Sequence, residues 1–156
     1  MVQLVREEVE KMVKRGESLA GATLTRTNLK DANLAKANLR GAVLYKTNLR
    51  EANLAGANLA EAHFREANLA GADLTKADLT DADLYKADIH GAILEGAILD
   101  GAHFTGAILT NATLSGADLT SAFLRGVNLT DANLSGAKLD GADLTGAIIP
   151  DGSKHE

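Results

Sequence analysis

The chain has 156 residues, no cysteine and a net charge of −5, and 46% of its residues are hydrophobic. This length is typical of one domain, and without cysteine the chain can form neither a disulfide nor a thiolate metal site. It also has no apolar run long enough to cross a membrane. We therefore expect no membrane partner.

Residues 1–17 are predicted to form a helix that precedes the rest of the chain. Val5, Val9 and Val13 recur at helical spacing, and charged residues occupy the opposite face. Gly16 follows a basic last turn, as is typical of a helix end. We expect this helix to cover the apolar end of the structure that follows, because a repeat array needs a polar lid at its ends.

Residues 18–150 repeat with a period of five. A leucine recurs from Leu24 to Leu144, and the phase ends at Ile149; 22 of these 26 positions are Leu. Two residues before each of them stands a small residue, which is Ala at 23 of the 26 positions. This regularity indicates a repeat array. Within one repeat, Ala and Leu are two apart, so both point inward from a short extended segment.

A period of five fits neither a straight helix nor a straight strand. Successive leucines would advance by about 140° on a helix, and on a strand they would point to opposite faces. The chain must therefore turn once per repeat. Asn or Asp often precedes the Leu and Gly often stands two residues after it, and both favour turns. Residues 44–46 (Leu-Tyr-Lys) recur forty residues later at 84–86, which favours coils with four sides.

Residues 151–156 are predicted to form a C-terminal tail. Pro150 ends the repeat pattern, and the Asp151-Gly152 pair favours a turn. We expect either this tail or a second copy of the protein to cover the last coil. The chain is thus predicted to be a monomer or a weak end-to-end dimer through the C-terminal coil.

The tandem unit Ala-Asp/Asn-Leu-x-x, as in residues 32–36 and 77–81, resembles the repeat of the pentapeptide-repeat family. The resemblance extends over about residues 18–150. It implies an all-β solenoid, namely a right-handed quadrilateral β-helix with four repeats per coil. The 26 repeats would make about 6.5 coils with an N-terminal capping helix, as in short cyanobacterial members of the family.

No arrangement of residues typical of catalysis is found. A Gly-x-x-x-x-Gly spacing recurs only because the period is five, and no Gly-Lys-Ser/Thr follows it, so it does not indicate a phosphate loop. Motifs of zinc proteases and serine hydrolases are also missing. We therefore expect no enzymatic activity, no cofactor and no metal site.

One side of the predicted coil gathers both tyrosines, the one Phe outside the Leu positions, two of the four histidines and two arginines. If each coil has twenty residues, residues twenty apart stack on the same side. We call one such group the aromatic wall, and it consists of Tyr45, His63, Arg65, Tyr85, His103, Phe123 and Arg125. Aromatic residues and Arg are favoured in interface cores, so we expect a protein partner here. Duplication of bulky residues along one side is the alternative interpretation.

Two further patterns concern the outward positions. His63, Asp83 and His103 share one column, but side chains stacked on a flat wall converge poorly on one metal ion. Isoleucine occupies three positions that usually hold Asn or Asp: Ile93, Ile98 and Ile108. These lie on different sides of the coil and form no single patch. We expect each of them to pack against neighbouring coils.

Charge is unevenly distributed, and two functions remain open. Residues 1–78 carry a net charge of +2 and residues 79–156 a net charge of −7. The acidic half disfavours nucleic acid and suits a basic partner surface. One function is a non-enzymatic scaffold for an unknown protein partner. The other is a DNA-mimicking protein that binds gyrase, as in the quinolone-resistance members of the family, although this chain has no loop that interrupts the coils.

The N-terminus lacks the basic and then apolar pattern of a signal peptide. We therefore expect a cytoplasmic protein. The thylakoid lumen or the periplasm is the alternative if a leader has been removed.

Overall fold

The computed structural model describes residues 3–156. Those residues contain one helix, α1 (Arg6–Lys14), followed by a coil in which each repeat lies beside the repeat twenty residues later. An unbroken series of parallel bridges records this register, from Thr23↔Val43 to Asn128↔Ile148. Since each repeat has five residues, one turn of the coil has four sides.

The four sides are numbered by the outward residues that bridge consecutive coils. In steps of twenty residues, side 1 runs from Thr23 to Asp143, side 2 from Asn28 to Ile148, side 3 from Asn33 to Asn133 and side 4 from Asn38 to Lys138. Each bridge involves a single residue per repeat, and residues 3–156 contain no longer strand. The predicted β-structure is therefore a ladder of isolated bridges, because a turn in every repeat leaves only one residue extended between two corners.

In a representative repeat on side 3, every backbone N–H group has an acceptor. Asn53 donates to the preceding coil at 2.9 Å, and Leu54 donates to the following coil at 2.7 Å. Gly56 also donates to the following coil, and Ala57 closes the turn within the repeat. The N–H of Ala55 donates to Oδ1 of Asn53 at 3.0 Å, which is an Asx turn. The predicted role of Asn and Asp before Leu is thus confirmed.

The corner residue, two positions after each Leu, has a positive φ throughout the coil. From Gly21 to Gly146, φ lies between 53° and 71° at this position. A residue with a side chain is strained in this region by about 1–2 kcal/mol, so Gly is favoured, as predicted. Thirteen of these corners nevertheless hold other residues, such as Lys86. Each of these thirteen corners therefore carries some backbone strain.

The interior is filled by the Leu and Ala columns. Every residue at a Leu position from Leu19 to Leu129 is at most 2% exposed. Where side 1 places a larger residue in the interior, the neighbouring small position on side 2 holds a smaller one, and the reverse. Phe64 and Phe104 fill two Leu positions, and the small position that follows each of them holds Ala. Where side 1 holds Leu instead, the small position holds a larger residue in three repeats: Thr27, Thr47 and Val127.

Helix α1 packs against the first coil. Val9 is fully buried, and Gly16 ends the helix with φ of 72°. Its N–H donates to Val13 O at 2.9 Å, and Glu17 N–H donates to Met12 O at 2.9 Å, which forms a Schellman motif. Val5, which the helical spacing assigned to the buried face, is instead 55% exposed because it precedes the first turn of α1.

The three isoleucines at outward positions are covered by neighbouring coils only in part, which is less than the sequence predicts. Ile93, Ile98 and Ile108 are 40%, 44% and 45% exposed. Outward residues of the coils above and below flank each isoleucine, but nothing covers its outer surface. The isoleucines lie on sides 3, 4 and 2 of the same coil. Each of these three sides therefore has an exposed apolar side chain at that level of the rod.

We expect Leu74→Ala to lower the free energy of unfolding by about 2–5 kcal/mol, because the residues stacked above and below cannot fill the cavity. Leu74 is fully buried on side 3. Urea-induced unfolding measures this change. Glu95→Ala, an exposed position on the same side, is the control and should change stability by less than about 0.5 kcal/mol. Equal effects of the two substitutions would contradict a Leu-filled interior.

Candidate protein-interaction face

The structure places all seven residues of the aromatic wall on side 1. His63, His103 and Phe123 occupy its column of bridging residues. The other four lie two residues after a bridging position, and the backbone groups of successive coils are hydrogen-bonded beside them: Tyr45, Arg65, Tyr85 and Arg125. Their role as a partner face remains a prediction, but their proximity is a property of the fold.

Aromatic rings on this side stack between coils. The rings of His103 and Phe123 are 4.4 Å apart between centroids, with an interplanar angle of 12°. Phe123 is 42% exposed, so part of this stacked pair is in contact with solvent. Aromatic side chains of this kind can bury area against a partner with little loss of side-chain entropy.

Tyr85 lies at the centre of the aromatic wall, and two cations lie close to its ring. The guanidinium carbon of Arg65 is 5.1 Å from the ring centroid, and Nζ of Lys86 is 5.2 Å from it. Both distances suit a cation–π interaction. Arg65 also pairs with Asp83, with 2.7 Å between Nε and Oδ2. This ion pair fixes the guanidinium across the ring and leaves the local charge close to balanced.

Sequence reasoning missed the lysines that accompany the two tyrosines. Nζ of Lys46 lies 5.0 Å from the ring centroid of Tyr45 and 3.3 Å from Oε2 of Glu66. The side chain of Tyr45, and then that of Glu66, raises the pKa of Lys46. The signal was present in the forty-residue echo, because Lys follows Tyr in both copies.

Side 1 also has backbone N–H groups without an acceptor. On the other sides, most of the corresponding N–H groups bond to an Asn or Asp side chain. Where Asn or Asp precedes the Leu, its side chain accepts the N–H two residues later. Side 1 mostly holds other residues at that position, and five N–H groups make no hydrogen bond among residues 3–156: those of Thr25, Tyr45, Arg65, Thr105 and Arg125. At the same position of the repeat, two residues after the bridging residue, no other side of the described chain has more than two N–H groups without an acceptor. The aromatic wall is therefore also a column of outward N–H donors.

An open groove of about 460 Å³ lies in the middle of the aromatic wall. It is lined by His63, Arg65, Asp81, Asp83, Tyr85, His103 and Thr105. Asp83 is engaged in it by Arg65 and by the backbone N–H of Tyr85 at 3.1 Å. Within residues 3–156, no group of three His, Cys, Asp or Glu side chains is arranged to hold a metal ion.

Comparison with known families assigns the fold. The family described as pentapeptide repeats matches in eight copies, over residues 18–59, 47–84, 57–96, 87–126 and 107–149. The chain belongs to the pentapeptide-repeat family. Proteins of this family adopt a right-handed quadrilateral β-helix, and the twenty-residue register described above fits that fold. They are generally non-enzymatic scaffolds, and no catalytic family is indicated.

Solved structures of the same family resemble this chain. HetL, a pentapeptide repeat protein involved in heterocyst differentiation regulation in the cyanobacterium Nostoc sp. strain PCC 7120, is 34% identical. The match covers 89% of this chain and 79% of HetL, with a TM-score of 0.47. A pentapeptide repeat protein from the Arabidopsis thaliana thylakoid lumen is 38% identical over 54% of this chain and 62% of its own, with a TM-score of 0.47.

A more distant structure shares the fold alone. QnrB1, a plasmid-mediated fluoroquinolone resistance protein, is 19% identical over 78% of each chain, with a TM-score of 0.54. No protein among the curated sequences compared with this chain matches it. In the described part of the chain, α1 is the single helix, and it is neither long nor apolar enough to span a bilayer.

A hydroxyl beside the aromatic wall lowers the pKa of one carboxyl group. The Thr145 hydroxyl and backbone N–H donate to Oδ1 of Asp143 at 2.6 and 3.0 Å, and they hold the pKa of Asp143 below its usual 3.8. We expect Thr145→Val to raise this pKa, which an NMR titration of the carboxyl group measures. Thr105→Val is the matched control, because His103 takes the place of the carboxylate there.

The sign of the pH dependence follows from the lowered pKa. A carboxylate with a depressed pKa stabilises the folded state above its unfolded pKa, and that contribution disappears as pH falls through the folded value. Thr145→Val should therefore be less stable than the parent protein at pH 6, and the difference should shrink as pH falls through the folded pKa of Asp143. An unchanged pKa of Asp143 in this variant would contradict the assignment.

Proposed function

We propose that this protein is a non-enzymatic scaffold whose aromatic wall binds another protein. The observation that carries the proposal is the coincidence of two features on side 1. Exposed aromatic side chains, two of them in contact with arginine or lysine, and unsatisfied backbone N–H donors both concentrate there. On the other three sides, Asx turns satisfy most of the corresponding donors.

The aromatic wall suits a protein partner better than a small molecule. Its central groove is open and has no enclosed chamber that could surround a ligand. The free N–H groups recur along the rod at a coil spacing of about 4.8 Å, so they can donate to several carbonyl or carboxylate oxygens of one partner. Because the aromatic pair and the Arg65–Tyr85 pair are held by stacking, little side-chain entropy is lost on binding.

The acidic half of the chain suggests the alternative, a DNA-mimicking protein that binds gyrase. The fold shared with QnrB1 does not favour this function, since that likeness extends to the fold alone. Two ion pairs on side 1 also leave the aromatic wall nearly neutral rather than strongly acidic: Arg65–Asp83 and Arg125–Asp143. A gyrase supercoiling assay in the presence of this protein separates the alternatives, and inhibition or protection of gyrase would favour DNA mimicry.

Two variants test the aromatic wall. The protein is immobilised and used to capture binding proteins from an extract of its source cells. We expect Tyr45→Ala combined with Tyr85→Ala and Phe123→Ala to abolish capture. The matched control changes three outward positions on side 3: Glu95→Ala, Ser115→Ala and Ser135→Ala. Loss of capture in the control, with retention in the wall variant, would place the partner site elsewhere.

We also infer that α1 caps the first of about 6.5 coils. Three side chains of the N-terminal segment bond to backbone groups at the edge of that coil. Glu10 accepts from Asn33 N–H at 2.9 Å. Arg6 donates to Asp31 O at 3.2 Å, and Gln3 donates to Thr25 O at 3.1 Å.

Deletion of residues 1–17 should cause concentration-dependent association, because it exposes the Leu interior and unpaired edge groups of the first coil. Light scattering measures the mass of the truncated protein. Arg15→Ala, an exposed position at the end of α1, is a control that should leave the parent behaviour unchanged. A truncated protein that remains monomeric and equally stable would show that α1 is not a lid.

A further inference from the structure

The C-terminal end of the coil is open on three sides. Leu134, Leu139 and Leu144 are only half-buried, unlike the leucines of earlier coils. Their N–H groups find no acceptor in the part of the chain that the structure describes. The carbonyl groups two residues earlier are also without donors there: Ala132, Ala137 and Ala142. Each open side therefore presents two groups without a partner. The carbonyl group precedes the bridging residue and the N–H group follows it.

The fourth side shows what completes such an edge. On side 2 the C-terminal tail turns back and pairs with the last repeat in antiparallel orientation, with Lys154 opposite Ile148. Ile149 N–H donates to Ser153 O at 2.8 Å, and the N–H of His155 donates to Ala147 O at 2.7 Å. These are the same two edge groups that stay open on sides 1, 3 and 4. An antiparallel segment is thus the observed partner of this edge.

A second copy of the chain has the same open edge. A two-fold axis perpendicular to the rod places two such ends face to face with their chains antiparallel. Each Leu N–H can then donate to an Ala carbonyl group of the second copy, and the pattern is reciprocal. This self-complementarity is the property that an isologous interface requires.

A four-sided end can face a second copy in four two-fold arrangements. In one of them, the distance between facing edges is the same on all four sides. The coil advances by about 4.8 Å per turn, so each of the last four repeats stands about 1.2 Å higher than the one before it. The order of increasing height is side 3, side 4, side 1 and side 2. In one arrangement, side 1 faces side 4 of the second copy and side 2 faces side 3. The heights of the two facing sides then add up to about 3.6 Å in both pairs.

Charge favours the same arrangement. It places Asp143 of side 1 directly opposite Lys138 of the second copy, and the two-fold axis repeats the pair. The arrangement that opposes side 1 to itself would instead place Asp143 against Asp143. Opposite charges at a cross-strand pair are favourable and like charges are unfavourable.

The tail prevents this arrangement from closing. As an added layer on side 2, it raises that side by a further 4.8 Å or so. Sides 1 and 4 of the two copies are then held one layer apart and cannot pair. We propose that residues 151–156 are a displaceable plug that keeps the protein monomeric, and that the edge beneath it pairs with a second copy once the plug is removed.

Sedimentation equilibrium compares the full chain with a chain ending at Pro150. The full chain should remain monomeric at concentrations where the shortened chain is a dimer. His155→Pro is a second variant that keeps the full length but removes the N–H bonded to Ala147, and it should shift the full chain towards the dimer. A shortened chain that stays monomeric, a full chain that is already dimeric, or aggregates larger than dimers would each overturn the proposal.

Charge reversal tests the arrangement itself in the shortened chain. Asp143→Lys and Lys138→Asp should each weaken the dimer at least tenfold, because each creates two like-charge pairs. The double variant should restore it. Each reversal also replaces an ion pair within its own chain, Arg125–Asp143 or Lys138–Asp118. Urea-induced unfolding of each variant therefore accompanies the measurement of dimerisation. Failure of the double variant to restore the dimer would contradict this pairing of sides.

Discussion

Hydrogen bonding between consecutive coils is the constraint on which the rest of the structure depends. In each standard repeat, three backbone N–H groups bond to the neighbouring coils, one closes the turn and one bonds to the Asn or Asp side chain. Because no donor is left over, the repeat cannot shift its register without losing bonds. The inward direction of Leu and Ala follows from this register, and so does the alignment of outward residues into columns.

The columns make side 1 chemically different from the other sides. Replacing Asn or Asp by His, Phe or Val has two effects there. It adds an apolar or aromatic side chain, and it releases the N–H group that the amide or carboxylate would have accepted. A substitution at one position therefore produces both elements of a recognition surface. The effect is the same if these bulky residues arose by duplication, since each of them leaves the N–H group two residues later without an acceptor.

The five-residue period was sufficient to predict the coil, its four sides and the buried columns, because the spacing alone decides which residues align. Side-chain exposure was less predictable. Ile93 lies between the outward residues of two neighbouring coils, yet its outer surface stays in solvent, and the period does not give that exposure. Val5 fits the helical spacing of Val9, yet the helix begins after it. The open N–H column escaped sequence reasoning, because it requires knowing which side chain accepts which backbone group. The antiparallel return of the tail likewise depends on contacts that spacing does not encode.

The two ends of the rod differ in a way that gives the molecule a direction of unfolding. At one end, Glu10, Arg6 and Gln3 bond to the edge of the first coil. At the other, three leucines are half-buried and their N–H groups are open. In a repeat array each coil is stabilised by its neighbours, so opening begins where a neighbour is missing. Amide hydrogen exchange should therefore be fastest in the last coil and slow progressively towards α1. The coils would then open in order from the C-terminal end.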